Sequence, residues 1–135
     1  MKHIPTVAGA LLGLLFVAFG LMFLLGIGPE PPPPPPADSP AGHFFAAFAP
    51  TGYLTFVKVC EVVGGLLVAA PRTRCLGLLL LGPVVTNIVA FHVLVAGDGV
   101  TDPILIAIVA ATVFLILVEY RAFLGLLRRP LPGAA

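Results

Sequence analysis

Four long apolar runs, separated by short polar or turn-forming stretches, set the organisation of the chain. They cover residues 4–27, 51–70, 75–96 and 103–124, each near the ~20 residues that a helix needs to cross a hydrocarbon core. The punctuation between them is explicit. Residues 28–50 form a loop, Pro71-Arg72-Thr73-Arg74 a tight polar break, and Gly97-Asp98-Gly99 a turn. Asp102-Pro103 reads as an N-cap followed by a proline at the first helical position, and opens the fourth run. Ser39-Pro40 has the same form and predicts a short helix over about 40–49. Its residues His43, Phe44, Phe45 and Phe48 give it an aromatic face suited to a membrane interface. The pattern therefore predicts an all-α fold, a four-transmembrane-helix bundle with a short interfacial helix in its first, outer loop. Residues 1–135 are expected to make one integral membrane domain.

Details within the runs refine the expectation. The first follows Lys2 and His3 and so resembles a signal peptide. It exceeds the usual 7–15-residue apolar region, however, and no small-x-small site precedes Gly28-Pro29, so it reads as retained. Gly9 and Gly13 form a GxxxG whose simplest use is close packing inside the monomer, with a homodimer as the other use. The six prolines at 31–36 predict a stiff polyproline II spacer. Pro83 is expected to kink the third span and leave the Leu79 carbonyl unpaired. The middle of the fourth span, 104–118, carries no charge and no visible chemistry.

Composition agrees with lipid as the solvent: 59% of the residues are hydrophobic and 10% charged, too little charge to cover a soluble domain. A net charge of +1 with no clustered basic patch excludes nucleic acid as a partner. Placing the N-terminus inside puts Lys2, Arg72, Arg74, Arg121, Arg128 and Arg129 on the cytoplasmic side, six of the seven basic residues. Glu30, Asp38, Asp98 and Asp102 then fall outside, which predicts a multi-pass protein with both termini cytoplasmic. Cys60 and Cys75 are too far apart along helical chain to pair, and read as structural thiols. No His/Cys/carboxylate set has metal-ligand spacing, and no nucleophile–base pair or phosphate loop is present. A heme lacks a second axial candidate at the depth of His92.

The seventh basic residue is the informative one. Lys58 lies inside the second span with Glu61 one turn away, so at i, i+3 they share a face and can neutralise each other. A lone charge on a membrane helix costs roughly 2.5–3.5 kcal/mol on insertion scales, so the pair should face the bundle interior or a wet cavity. Leu54, Lys58, Glu61, Gly65 and Val68 form one stripe, and Gly64 and Gly65 admit a neighbouring helix. Pro83, Asn87 and Leu94 are expected to form the facing stripe, with Asn87 at the depth of Glu61. Thr86 and Tyr53 can add hydroxyls. His92 lies about 140° from Asn87 on an ideal wheel and reads as facing another helix or the interfacial loop with His43, unless a kink at Pro83 rotates it inward. There it joins Lys58, Glu61, Asn87, Tyr53 and Thr86 as a candidate ligand-binding residue. Two readings stand side by side at this point. The charged pair with Asn87 is either a packing network or the polar end of an outward-facing pocket.

These residues also carry a resemblance. Phe19-Gly20, then Gly52-Tyr53 with Lys58, Glu61, Gly64, Gly65 and Leu67, then Pro83, Asn87, Ile88, Phe91 and His92 together resemble the pattern of the DoxX-like family of small four-helix bacterial membrane proteins. The resemblance extends over about 16–121. It implies an inner-membrane four-helix bundle linked to redox chemistry, because relatives include subunits of thiosulfate:quinone oxidoreductases and membrane partners of thiol-oxidant defence. Maturation factors and cargo receptors also belong to the wider group, so fold does not fix activity. The proline run is long for the pattern, and no cysteine pair is placed for thiol exchange. The expected function is an accessory or small-molecule-binding membrane subunit rather than an enzyme on its own. A quinone or lipid-like molecule is the ligand class, and a membrane or soluble redox protein the partner class. The alternatives are an oxidoreductase subunit acting directly on quinone, a small proton-coupled transporter, for which no internal repeat is visible, and a structural scaffold.

Overall fold

A computed structural model describes residues 3–30 and 33–127. Lys2, Arg128 and Arg129, on which part of the expected orientation rests, lie outside the described residues, as do the first two prolines of the 31–36 run. The described chain is all-helical: α1 (Ile4–Leu25), α2 (Pro40–Phe48), α3 (Tyr53–Ala69), α4 (Arg74–Ala90), α5 (Pro103–Val118) and α6 (Tyr120–Leu127). A 3₁₀ turn, Ala49–Thr51, joins α2 to α3, and a π-helical turn, Phe91–Ala96, extends α4.

Local chemistry sets several of these boundaries. The Ser39 hydroxyl accepts from the Gly42 amide at 3.0 Å and starts α2. Asp102 Oδ1 accepts from the amides of Ile104 and Leu105 at 2.6 and 3.1 Å and starts α5. Both satisfy donors that the first turn of a helix otherwise leaves free. Gly52, at φ 76°, supplies the left-handed step between the 3₁₀ turn and α3, and α2 meets α3 at 82°. At the far end of α3 the Thr73 hydroxyl donates to the Leu67 carbonyl at 2.8 Å. α4 stays helical through Pro83.

Two helices, Ile4–Leu25 and Arg74–Ala96, are long and apolar enough to cross a membrane, and up to four spans result if each bent helix pair counts as one. α3 and α5, with 17 and 16 residues, reach ~24–26 Å at ~1.5 Å per residue. They are thus shorter than the spans 51–70 and 103–124 expected from the sequence. The fourth run does not continue straight to 124. It breaks after Val118, and α6 leaves at 63° to α5. At the break the Glu119 carboxylate meets Arg74, 3.0 Å away. The bend also brings Phe123 against the core.

α1 packs on α3, α3 on α4, α4 on α5 and α5 on α1, a closed order of contacts. Glycine sets the closest approaches. A Cβ on Gly65 would stand 2.8 Å from the Gly13 carbonyl oxygen, and one on Gly77 would stand 2.9 Å from that of Gly64. These helices therefore meet backbone to backbone, and the GxxxG of α1 serves packing within the chain. Leu12, Phe16, Val68, Leu78, Leu81, Val85 and Leu115 form the core. The inward face of α4 is therefore Gly77, Leu78, Leu81 and Val85. Of the expected stripe, Pro83 and Asn87 lie at the exposed α3–α4 edge beside that face, and Leu94 is 78% exposed. Large apolar side chains cover the outside along α1, α3, α4 and α5.

Candidate functional site

At the α2 end of these helices, above the glycine contacts, lies a cavity of about 280 Å³. α3 provides one wall through Tyr53, Leu54, Val57, Lys58 and Glu61, and the end of α4 provides another through Asn87, Ile88, Phe91 and His92. Phe23 closes it on the α1 side, and Phe44 and Phe45 come in from α2.

The ion pair is made as the i, i+3 spacing predicts. Lys58 Nζ donates to both Glu61 oxygens, at 2.9 and 2.8 Å. The Glu61 side chain is 4% exposed and that of Lys58 is 28% exposed, so the carboxylate is buried and the ammonium faces the cavity. Two of the three ammonium hydrogens go to Glu61, which leaves one donor for an occupant. The ammonium also stands 5.8 Å from the centroid of the Phe23 ring, within cation–π range. Asn87 shares the cavity wall, but both hydrogen bonds of Lys58 go to Glu61. Asn87 is thus a neighbour of the pair and not a member of its network.

His92 also lines the cavity, although the ideal wheel alone sets it well away from Asn87. The cavity lies around the end of α4, so it touches an arc that runs from Asn87 through Ile88 and Phe91 to His92. His92 itself lies in the π turn, where its carbonyl accepts from Gly97 N at 3.0 Å, and such widened turns recur at functional sites. His92 Nδ1 lies 3.0 and 3.2 Å from the Asp98 carboxylate oxygens. With the carboxylate accepting, Nδ1 is the donor, and Nε2 is the ring nitrogen left for an occupant.

Aromatic rings form the roof. Phe91 packs on Phe44 and Phe45 at centroid distances of 5.0 and 5.5 Å. Phe48 packs on Phe44 at 4.7 Å and on Tyr53 at 4.8 Å. Phe48 thus braces the roof without lining the cavity. His43, expected with Phe44, Phe45 and Phe48 at the lid or interface, is exposed on α2 and, like Phe48, is not part of the lining. Thr86 turns away, its hydroxyl bonded to the Gly82 carbonyl of its own helix at 2.9 Å. Its position faces a separate apolar groove between α4 and α5, because it stands about 100° from Asn87 around the helix.

Sequence reasoning missed Phe23 as a wall, Asp98 as the partner of His92, and a second ion pair at the opposite end of the helices. There Arg74, 4% exposed, reaches Glu119 at 3.0 Å and donates from Nε to the Val68 carbonyl at 3.4 Å. Its other terminal nitrogen, Nη2, is buried without a partner among the described residues. A lone Glu119 after an uncharged run was the available signal. Among the described residues no group of three or more His, Cys, Asp or Glu side chains could hold a metal ion, and both cysteines are free thiols. Compared with family models, with curated proteins and with solved structures, the chain matches none.

Proposed function

We propose that this chain is a four-span membrane protein that binds a small amphiphile, a quinone or lipid-like molecule, as an accessory subunit linked to redox metabolism. α1, α3, α4 with its π turn, and α5 are the spans. α2 lies at the outer interface as a lid, and both termini face the cytoplasm of a bacterium whose inner membrane holds the protein. The resemblance of Gly52-Tyr53, Lys58, Glu61, Asn87 and His92 to the DoxX-like pattern agrees with this reading.

The observation that carries the proposal is the make-up of the cavity. Apolar and aromatic walls surround a few convergent polar groups, the composition expected of a small-molecule site. Lys58 offers a donor at the floor, His92 an acceptor at the side, and Asn87 both. A ring bearing carbonyl or hydroxyl oxygens meets this set of groups, and the Phe44, Phe45 and Phe91 rings offer it faces and edges to pack on. A pair placed only for packing would be expected to leave no cavity beside it.

Equilibrium dialysis against a tail-less benzoquinone, with the protein in lipid nanodiscs, tests this. Stoichiometric binding that is lost in Lys58→Met/Glu61→Gln, with helical circular dichroism retained, supports the proposal. Absence of binding to the native chain, or equal binding by the double variant, removes it and leaves the pair as a packing device.

A further inference from the structure

A second cavity, of about 170 Å³, lies between α3 and α4 beside the first. The two have Tyr53, Val57 and Asn87 in common, so these side chains form a partition between them. Beyond the partition the lining is Cys60 from α3 with Pro83 and Val84 from α4. Phe56, also on this wall, is 65% exposed, and Pro83 and Asn87 are exposed. The second cavity therefore opens sideways, on the apolar outer surface of the helices.

Size and closure make the connection meaningful. About 280 Å³ lies just below the ~300–1,000 Å³ range of small-molecule sites, the scale of a ring-sized head without an added chain. Phe44, Phe45 and Phe91 pack together across the roof, and the ion pair lies at the floor. Gly64 and Gly77 close α3 onto α4 further along. At the level of Cys60 and Val84 that closure is lacking, and a cavity remains.

We propose that the ligand of the first cavity is a tailed amphiphile, a polar ring carrying one alkyl or isoprenoid chain, and that its chain leaves the bundle through this α3–α4 opening. Asn87 is the gate side chain, since no hydrogen bond to Lys58 or Glu61 holds it in place. The inference rests on the proposed function and narrows its ligand class. Entry is then lateral, from the bilayer, so the head reaches Lys58 without crossing the aromatic roof.

The test uses two benzoquinones with one head, tail-less and decyl-tailed, and two blocking variants, Cys60→Trp and Val84→Trp. Neither position lines the first cavity, and the two block from opposite walls, so a folding defect in one does not spoil the other. Binding is measured in nanodiscs at a fixed lipid-to-protein ratio. The expected result is a loss of about tenfold or more for the tailed quinone, the scale of an overfilled site, with the tail-less one unchanged. Equal affinity changes for both quinones, or none for either, overturn the lateral path while leaving the proposed function in place. Failure of the native chain to bind either quinone overturns both.

Discussion

Removing one member of the Lys58–Glu61 pair gives unequal costs, and the structure fixes their order. Glu61 is the more deeply placed partner, at 4% side-chain exposure against 28% for Lys58. Breaking a buried pair by truncating one side costs about 3–5 kcal/mol, because the other charge is left uncompensated. In Lys58→Met the stranded group is the buried carboxylate, which has no second donor within its side-chain hydrogen bonds, so the loss belongs near 5 kcal/mol, the top of that range. In Glu61→Gln the ammonium loses its counter-charge, but it already faces the cavity and lies near the Phe23 ring. The loss then belongs near 3 kcal/mol. Lys58→Met/Glu61→Gln strands no charge and should lie within about 1 kcal/mol of the native chain. The coupling in this cycle is therefore large, above ~3 kcal/mol, where independent sites would show almost none. Unfolding by increasing SDS fraction in mixed micelles, followed by far-UV circular dichroism, measures all four proteins. A double variant less stable than either single variant, with additive losses, would refute the reasoning.

Glycine contacts give a paired prediction. Gly77→Ala pushes a Cβ against the backbone of α3 at Val68 and Gly64 and should cost about 1–3 kcal/mol. Gly82→Ala on the same helix meets nothing within 4 Å and should stabilise by about 0.5–1 kcal/mol. The same unfolding assay separates them. Glu119→Ala strands Arg74, which is 4% exposed, and should cost about 3–5 kcal/mol; spin labels on α5 and α6 should show the 63° bend relaxing with it. Asp102→Ala removes acceptors from Ile104 and Leu105 and should cost about 1 kcal/mol, seen as faster amide hydrogen exchange in the first turn of α5.

Short-range chemistry was legible in the sequence. Ser39-Pro40 and Asp102-Pro103 act on amides two or three residues away, and Lys58 and Glu61 meet through helix spacing alone, so each could be read without knowing the fold. The glycines at 9, 13, 64 and 65 announced close packing because little else explains them in apolar helices. The inward face of α4 was not legible. That helix is apolar nearly all round, so periodicity carries no direction, and Gly77 rather than Asn87 decides which side meets α3. The pair that Glu119 makes at the break joins it to Arg74, 45 residues away. The arc of the cavity around α4, which recruits His92 and excludes Thr86, follows from where α2 folds back, and a single-helix wheel contains no such information.

Native mass spectrometry of the protein extracted gently from its own membrane decides whether the cavity is a ligand site. A stoichiometric small molecule, a tailed ring compound, is expected on the native chain and absent from Lys58→Met/Glu61→Gln. A native chain that carries no small molecule, alone or with a co-purifying protein, would contradict it and make the ion pair a device for packing α3.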